Sequence, residues 1–111
     1  MSTEAALADP PSSPAVVGDM ADQAKAASDF LKALAHEGRL MLLCHLVEGE
    51  KSVSELEALI GARQAAVSQQ LARLRLEGLV ASRRNGKAIY YSIREPRVRQ
   101  LIQTLYRMFC A

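Results

Sequence analysis

The chain has few of the residues that cross-link a small protein or fill a large core. Its 111 residues include two cysteines, three tyrosines, two phenylalanines and no tryptophan, although half of all residues are hydrophobic. Many of the hydrophobic residues are alanines, so we expect one domain with a thin core, which dimerisation would help to stabilise. No apolar run has membrane-spanning length, and the N-terminus lacks the basic and apolar segments of a signal peptide. A cytoplasmic protein is therefore expected, and disulfides are rare in that compartment.

The residue patterns of common enzyme sites are also missing. There is no nucleophile–base–acid constellation, no phosphate-binding glycine loop and no zinc motif. A Cys-x-x-Cys pair, which a thiol-transfer enzyme would use, is absent as well. We therefore predict that the protein is not an enzyme and uses no cofactor.

The two signs of charge are separated along the chain. Residues 1–62 contain four Lys or Arg and ten Asp or Glu, a net charge of −6. Residues 63–99 contain nine Lys or Arg and two Asp or Glu, a net charge of +7. A basic segment of this kind is the electrostatic signature of a nucleic-acid-binding surface.

Residues 52–79 have the pattern of two helices joined by a tight turn. Ser52 and Glu55 form a capping box that starts the first helix. The apolar face of this helix consists of Leu56, Leu59 and Ile60. Gly61 supplies the backbone freedom for the turn, and the second helix begins near Gln64. Its apolar residues recur at spacings of four and three, at Val67, Leu71 and Leu74.

The outward face of the second helix has no acidic residue before Glu77. It carries small, hydrogen-bonding or positive side chains, which a surface that approaches DNA and contacts base edges requires. We predict DNA contacts from Gln64, Ser68, Gln69 and Arg73. The alternative is an ordinary solvated helical hairpin.

After the second helix the apolar period changes to two. Residues 80–84 and 87–93 flank Asn85-Gly86, which predicts a β-hairpin with Val80 opposite Tyr91. Three basic residues crowd its tip, namely Arg83, Arg84 and Lys87. We predict a wing that contacts the DNA backbone through these residues, and a solvated hairpin tip is the alternative.

The remaining segments predict three more helices and a tail. Residues 1–18 are rich in Ala, Pro and Ser, so a disordered tail is predicted before a domain at residues 19–111. Helices are predicted at residues 19–35, at roughly 37–48, and from near Pro96 to the end of the chain. The predicted fold is mainly α with a small β-hairpin, a winged helix–turn–helix with five helices and a wing.

This order of elements and the sequence AVSQQLARLRLEGLVASRRNGKAIYYSI resemble the ArsR (ArsR/SmtB) family of dimeric bacterial repressors. The resemblance covers roughly residues 26–111. It implies a homodimer formed through the first and last helices, which binds an inverted-repeat operator in double-stranded DNA. It also implies an inducer that binds elsewhere and releases the DNA.

The metal-binding motifs of that family are absent. Its metal-sensing branch carries a Cys-x-Cys-type cluster on the first helix of the helix–turn–helix, where this chain has SVSELEALIG. Another branch carries carboxylate and His ligands on the last helix, where this chain has RVRQLIQTLYRMFCA. We therefore predict no metal site, and we expect His36 and His45 to be structural or solvated.

Cys44, in the segment LLCHLVEGE, and Cys110, near the end of the last helix, resemble the cysteine pair of SqrR/BigR-type reactive-sulfur sensors in this family. The resemblance implies that low-molecular-weight persulfides link the two thiols through a polysulfide or disulfide bridge. The bridged protein would release DNA and allow expression of sulfide-oxidation and detoxification genes. Cys44, with Arg39 and His45 close in sequence, is expected to react first.

Three alternatives stay open at this point. Each cysteine is also compatible with a small buried hydrophobic residue. The inducer is alternatively a metal or metalloid, as in other ArsR-type repressors. The protein is alternatively an interaction module with incidental basic charge, which a DNA-binding assay distinguishes from a repressor.

Overall fold

The computed structural model of the chain describes residues 13–61 and 64–110. The chain divides into two units, residues 1–32 and residues 33–111. The described residues form five helices and three strands, which confirms the predicted mainly α, winged helix–turn–helix fold. In chain order these elements are α1 (Ser13–Leu34), α2 (Glu37–Val47), β1 (Lys51–Ser52), α3 (Val53–Ile60), α4 (Gln64–Leu76), β2 (Val80–Asn85), β3 (Ala88–Ile93) and α5 (Pro96–Phe109).

Helix α1 begins earlier than the sequence pattern predicts. Residues 13–18 belong to this helix, whereas the sequence pattern predicts a start at residue 19. The disordered tail stays a prediction. Residues 1–12 of the predicted tail lie outside the described residues. Pro14 is compatible with the first turn of a helix, because the backbone N–H that proline lacks has no intrahelical partner there.

The core of the second unit consists of aliphatic side chains from its helices and hairpin. Its fully buried side chains are Leu42, Leu43, Leu46, Leu56, Val67, Leu71, Leu74, Val80 and Val98. Burial of each contributes about 1.5–3 kcal/mol of transfer free energy. The predicted core residues of α4 are confirmed. In α3 only Leu56 is buried, whereas Leu59 is exposed because it borders an open cleft beside His36 and Met41.

Local hydrogen bonds define both ends of α3, as predicted. The backbone N–H of Glu55 donates to Oγ of Ser52 at 3.1 Å, and the backbone N–H of Ser52 donates to Oε1 of Glu55 at 2.7 Å. Gly61 follows the last residue of α3 in the left-handed conformation, with φ +73°. Because these interactions span only a few residues, the sequence is sufficient to locate them.

The three strands form an antiparallel sheet in the order β1-β3-β2. The sequence does not predict β1, because two residues are too few to show an alternating pattern. Lys51 and Ser52 pair with Tyr91 and Tyr90 of β3. The start of α3 is thereby attached to the hairpin that follows α4.

The hairpin register differs from the predicted one. Val80 pairs with Ile93 rather than with Tyr91, and the turn lies at Gly86–Lys87 because Asn85 remains in β2, paired with Ala88. Gly86 occupies the first turn position with φ +66°. The shift is by two residues, and side chains alternate with a period of two, so the predicted inward face is preserved.

Candidate DNA-binding surface and thiol pocket

Helix α4 exposes most of the side chains that the sequence assigns to DNA. The helical period turns its three core residues inward and leaves Ser68, Gln69 and Arg73 exposed on the remaining face. Gln64 begins the helix, and its side chain lies outside the described part of the chain. The exposed face therefore offers hydroxyl, amide and guanidinium groups, which suit contacts to base edges and phosphates.

Arg73 has an acidic neighbour one helical turn away. Its Nε lies 3.6 Å from Oε2 of Glu77, and both side chains are exposed. A surface pair of this kind is worth at most about 1 kcal/mol. A phosphate can therefore compete with Glu77 for Arg73.

Arg83 is held by an interaction that the sequence does not predict. Its Nε and Nη2 donate to the two carboxylate oxygens of Glu50 at 2.8 and 2.7 Å. Its guanidinium carbon lies 4.9 Å from the centre of the Tyr90 ring, in the geometry of a cation–π contact. The hydrogen bonds from Arg83 lower the pKa of Glu50 from its ordinary value. Arg83 thus joins the wing to the residue before β1.

The other two basic residues of the wing differ from Arg83. Arg84 and Lys87 are exposed, and neither forms a hydrogen bond or ion pair within residues 13–61 and 64–110. Each is therefore available to a phosphate without loss of an intramolecular contact.

A shallow cavity of about 190 Å³ joins the recognition helix α4 to the wing. Ser68 of α4, Lys87 of the hairpin turn and Ser54 of α3 all line it. Ser54 is not among the DNA-binding residues that the sequence predicts. Its hydroxyl lies in the first turn of α3, and helix N-termini favour anions. The capping box at Ser52 already indicates this helix start in the sequence, so the position of Ser54 could have been recognised.

Cys44 and Cys110 line one cavity of about 310 Å³ between α2 and α5. Cys44 is half-buried, Cys110 caps the C-terminus of α5 and is exposed, and both thiols are free. The other lining residues are all apolar or aromatic, namely Leu40, Met41, Ile102, Leu105, Tyr106 and Phe109. The fold therefore brings together two thiols that are 66 residues apart in sequence.

Burial raises the pKa of the Cys44 thiol, and the neighbouring Cys110 and Glu48 raise it further. Arg39 is not among the groups that shift this pKa, and its Nε donates to the carbonyl oxygen of Ala33 at 2.8 Å. A raised pKa lowers the thiolate fraction of Cys44 at neutral pH. The electrostatic reason for expecting Cys44 to react first is therefore not supported.

Two further properties concern the same described residues, 13–61 and 64–110. No group of three or more His, Cys, Asp or Glu side chains among them is arranged to hold a metal ion. No helix among them has both the length and the apolar character to cross a membrane.

Comparison with known proteins places this geometry in a family. Residues 36–82 match the family model described as bacterial regulatory protein, arsR family. The biofilm growth-associated repressor of Xylella fastidiosa strain 9a5c is 50% identical over 93 residues, 84% of this chain and 82% of the relative. The transcriptional activator HlyU of Vibrio cholerae is 41% identical over 81 residues, 73% of this chain and 75% of HlyU.

Solved structures agree with these sequence matches. The crystal structure of the transcriptional repressor BigR from Xylella fastidiosa has a TM-score of 0.82 and 50% identity, covering 85% of this chain and 96% of BigR. Reduced HlyU from Vibrio cholerae has a TM-score of 0.78 and 38% identity, covering 84% of this chain and 98% of HlyU.

The fold and the exposed face of α4 define a winged helix–turn–helix DNA-binding protein. The chain belongs to the arsR family of bacterial regulatory proteins. It is a transcriptional repressor of that family and not an enzyme.

Proposed function

We propose that this repressor binds an inverted-repeat operator as a homodimer in the cytoplasm and is released when sulfur links Cys44 to Cys110. The inducers would be low-molecular-weight persulfides, and the derepressed genes would serve sulfide oxidation and detoxification. The observation that carries the proposal is the shared cavity of the two thiols between α2 and α5.

DNA would be bound by α4 and the wing together. Gln64, Ser68, Gln69 and Arg73 would lie in the major groove, and the two recognition helices of a dimer would enter successive grooves about one helical turn apart. Arg84 and Lys87 would contact phosphates of the backbone. In the unbound protein Arg83 pairs with Glu50, so its predicted contact with the DNA backbone would require a phosphate to replace that carboxylate.

A dimer through α1 and α5 is supported by the exposed apolar side chains of these helices. Val17, Met20 and Leu31 of α1 are exposed, and so is Met108 of α5. Several exposed apolar side chains on one element suit a protein–protein contact. A second copy of the chain is the partner that the resemblance to a dimeric family implies.

Helix α2 would transmit the signal, because it carries Cys44 and also packs against α4. A Cβ placed on Gly38 of α2 would lie only 2.9 Å from Oε1 of Gln70 in α4. A tie between α2 and α5 would pull α2 and would change the position of α4 relative to the dimer axis. A coupling of about 1–3 kcal/mol is typical of such allosteric changes.

The thiol chemistry is a pair of displacements. One cysteine thiolate takes the outer sulfur of a persulfide RS–SH and releases RSH, which leaves a cysteine persulfide anion. After protonation of that persulfide, attack by the second thiolate on its inner sulfur releases hydrosulfide and leaves a disulfide. A donor with three or more linked sulfurs leaves sulfur within the bridge.

The test compares operator binding by wild type, Cys44→Ser and Cys110→Ser, each with and without glutathione persulfide. We expect only wild type to release DNA, together with an intact mass that corresponds to a bridge. Release of DNA from either treated variant would refute the two-thiol bridge. Release by stoichiometric zinc or arsenite, without a response to persulfide, would identify a metal sensor.

A further inference from the structure

We propose that the cavity between α2 and α5 binds the organic part of the sulfur donor. Its preferred donors would be uncharged polysulfides RS–Sₙ–SR in which R is a short hydrocarbon chain. This inference rests on the proposed function and specifies the chemical class of the inducer.

The cavity has the size and surface of a small apolar binding site. Its volume of about 310 Å³ lies at the lower end of the range of about 300–1,000 Å³ for ligand pockets. The surface that it presents to a ligand is apolar throughout. A propyl or similar group would lose contact with water on entry, which favours binding in proportion to the apolar area buried.

The charges near the cavity disfavour an anionic donor. No Lys, Arg or His is among the lining residues, and the nearby carboxylate of Glu48 acts on the Cys44 thiol. A donor such as a glutathione polysulfide carries carboxylates that would lose hydration near the thiols without gaining a cation. The apolar lining and the absence of a cationic side chain from it therefore both favour an uncharged donor.

The uncharged donor completes the bridge without a further oxidant. In the first step, one cysteine thiolate attacks an inner sulfur of RS–Sₙ–SR, forms a new S–S bond and expels RS⁻. In the second, the other cysteine thiolate attacks the inner sulfur next to the remaining SR group and expels a second RS⁻. Two cysteine sulfurs are oxidised and two RS sulfurs are reduced, so the electrons balance. The product is a bridge of the two cysteines with n inserted sulfurs, each adding up to about 2 Å of span.

The test uses two donors with the same number of sulfurs, dipropyl trisulfide and glutathione trisulfide. The rate of bridge formation in the full-length protein is followed by intact mass, and each rate is divided by that of N-acetylcysteine with the same donor. We expect the normalised rate with dipropyl trisulfide to be on the order of tenfold higher, roughly the effect of burying two methylene groups. Equal normalised rates would overturn the inference.

Two variants of α5 provide a matched comparison. Phe109 lines the cavity and is 76% exposed, whereas Gln103 is exposed and does not line it. Phe109→Lys is expected to abolish most of the preference for dipropyl trisulfide, and Gln103→Lys is expected to retain it. A preference that survives Phe109→Lys would place donor selection outside the cavity and contradict the inference.

Operator binding distinguishes a failure of this inference about the donor from a failure of the proposed function. If both donors bridge the thiols and release DNA at equal normalised rates, the inference fails while the proposed function stands. If neither donor forms a bridge, the inference fails, and the test with glutathione persulfide decides the proposed function.

Discussion

Glu50→Gln is expected to make DNA binding by this repressor more dependent on salt. The Glu50 carboxylate accepts hydrogen bonds from Nε and Nη2 of Arg83 at 2.8 and 2.7 Å. A glutamine has one acceptor oxygen and no charge, so it cannot form this bidentate ion pair. The guanidinium of Arg83, at the edge of the wing beside Arg84, would then be free to turn towards a phosphate.

The expected size follows from counterion release. Each additional phosphate contact changes the slope of log K against log salt by about −0.9 on double-stranded DNA. The proposed dimer has two wings, so the slope should become more negative by about 2. Over a fourfold increase in salt, that change corresponds to an additional loss of affinity of roughly tenfold.

Fluorescence anisotropy with a labelled duplex from the DNA upstream of the gene, at several sodium chloride concentrations, measures this slope. Glu48→Gln is the matched control, since it removes the same charge two residues earlier. Glu48 is 70% exposed and pairs with Lys51 at 3.7 Å, away from Arg83. Equal slopes for the two variants would show that Glu50 does not hold Arg83 back from DNA.

Three more predictions concern stability and thiol reactivity. Leu71 is fully buried, so Leu71→Ala should lower the free energy of unfolding, measured in urea, by about 3–5 kcal/mol. Leu76 is 83% exposed, so Leu76→Ala should change that free energy by less than about 0.5 kcal/mol. In a Cys110→Ser background, alkylation of Cys44 should reach half its maximal rate at a higher pH than an exposed cysteine in a peptide, since burial raises the pKa of Cys44. Glu95 caps α5, and hydrogen bonds from a nearby arginine lower its pKa from 4.5 to about 2. The Tm of Glu95→Gln should therefore lie furthest below that of wild type above pH 4.5, and this difference should shrink as the pH falls towards 2. A pH-independent difference would contradict this assignment.

Features that depend on a few consecutive residues followed from the sequence. The capping box of Ser52 and Glu55 and the left-handed Gly61 are interactions within one helical turn, so their residue types and spacing suffice to locate them. The sequence also predicts the buried face of α4. The helical period places Val67 and Leu71 on one side of the helix, whichever element packs against them. The same local pattern carried the resemblance to the family.

Features that depend on distant segments required the tertiary structure. The pair of Glu50 and Arg83 joins residues 33 positions apart, and no residue pattern distinguishes it from two solvated charges. β1 exists only because β3 lies beside it. The hairpin register was also decided by pairing along both strands, since Asn85-Gly86 permits more than one position for the turn.

The properties of the two cysteines depend partly on the local sequence and partly on tertiary packing. The sequence by itself determined that two thiols are present and that Cys44 lies in an apolar stripe of a helix. Only the packing of α2 against α5 placed Cys44 and Cys110 in one cavity, and burial in that packing is the largest cause of the raised pKa of Cys44. The physical reason is that spacing along a helix is a local property, whereas proximity and desolvation depend on which elements the core brings together.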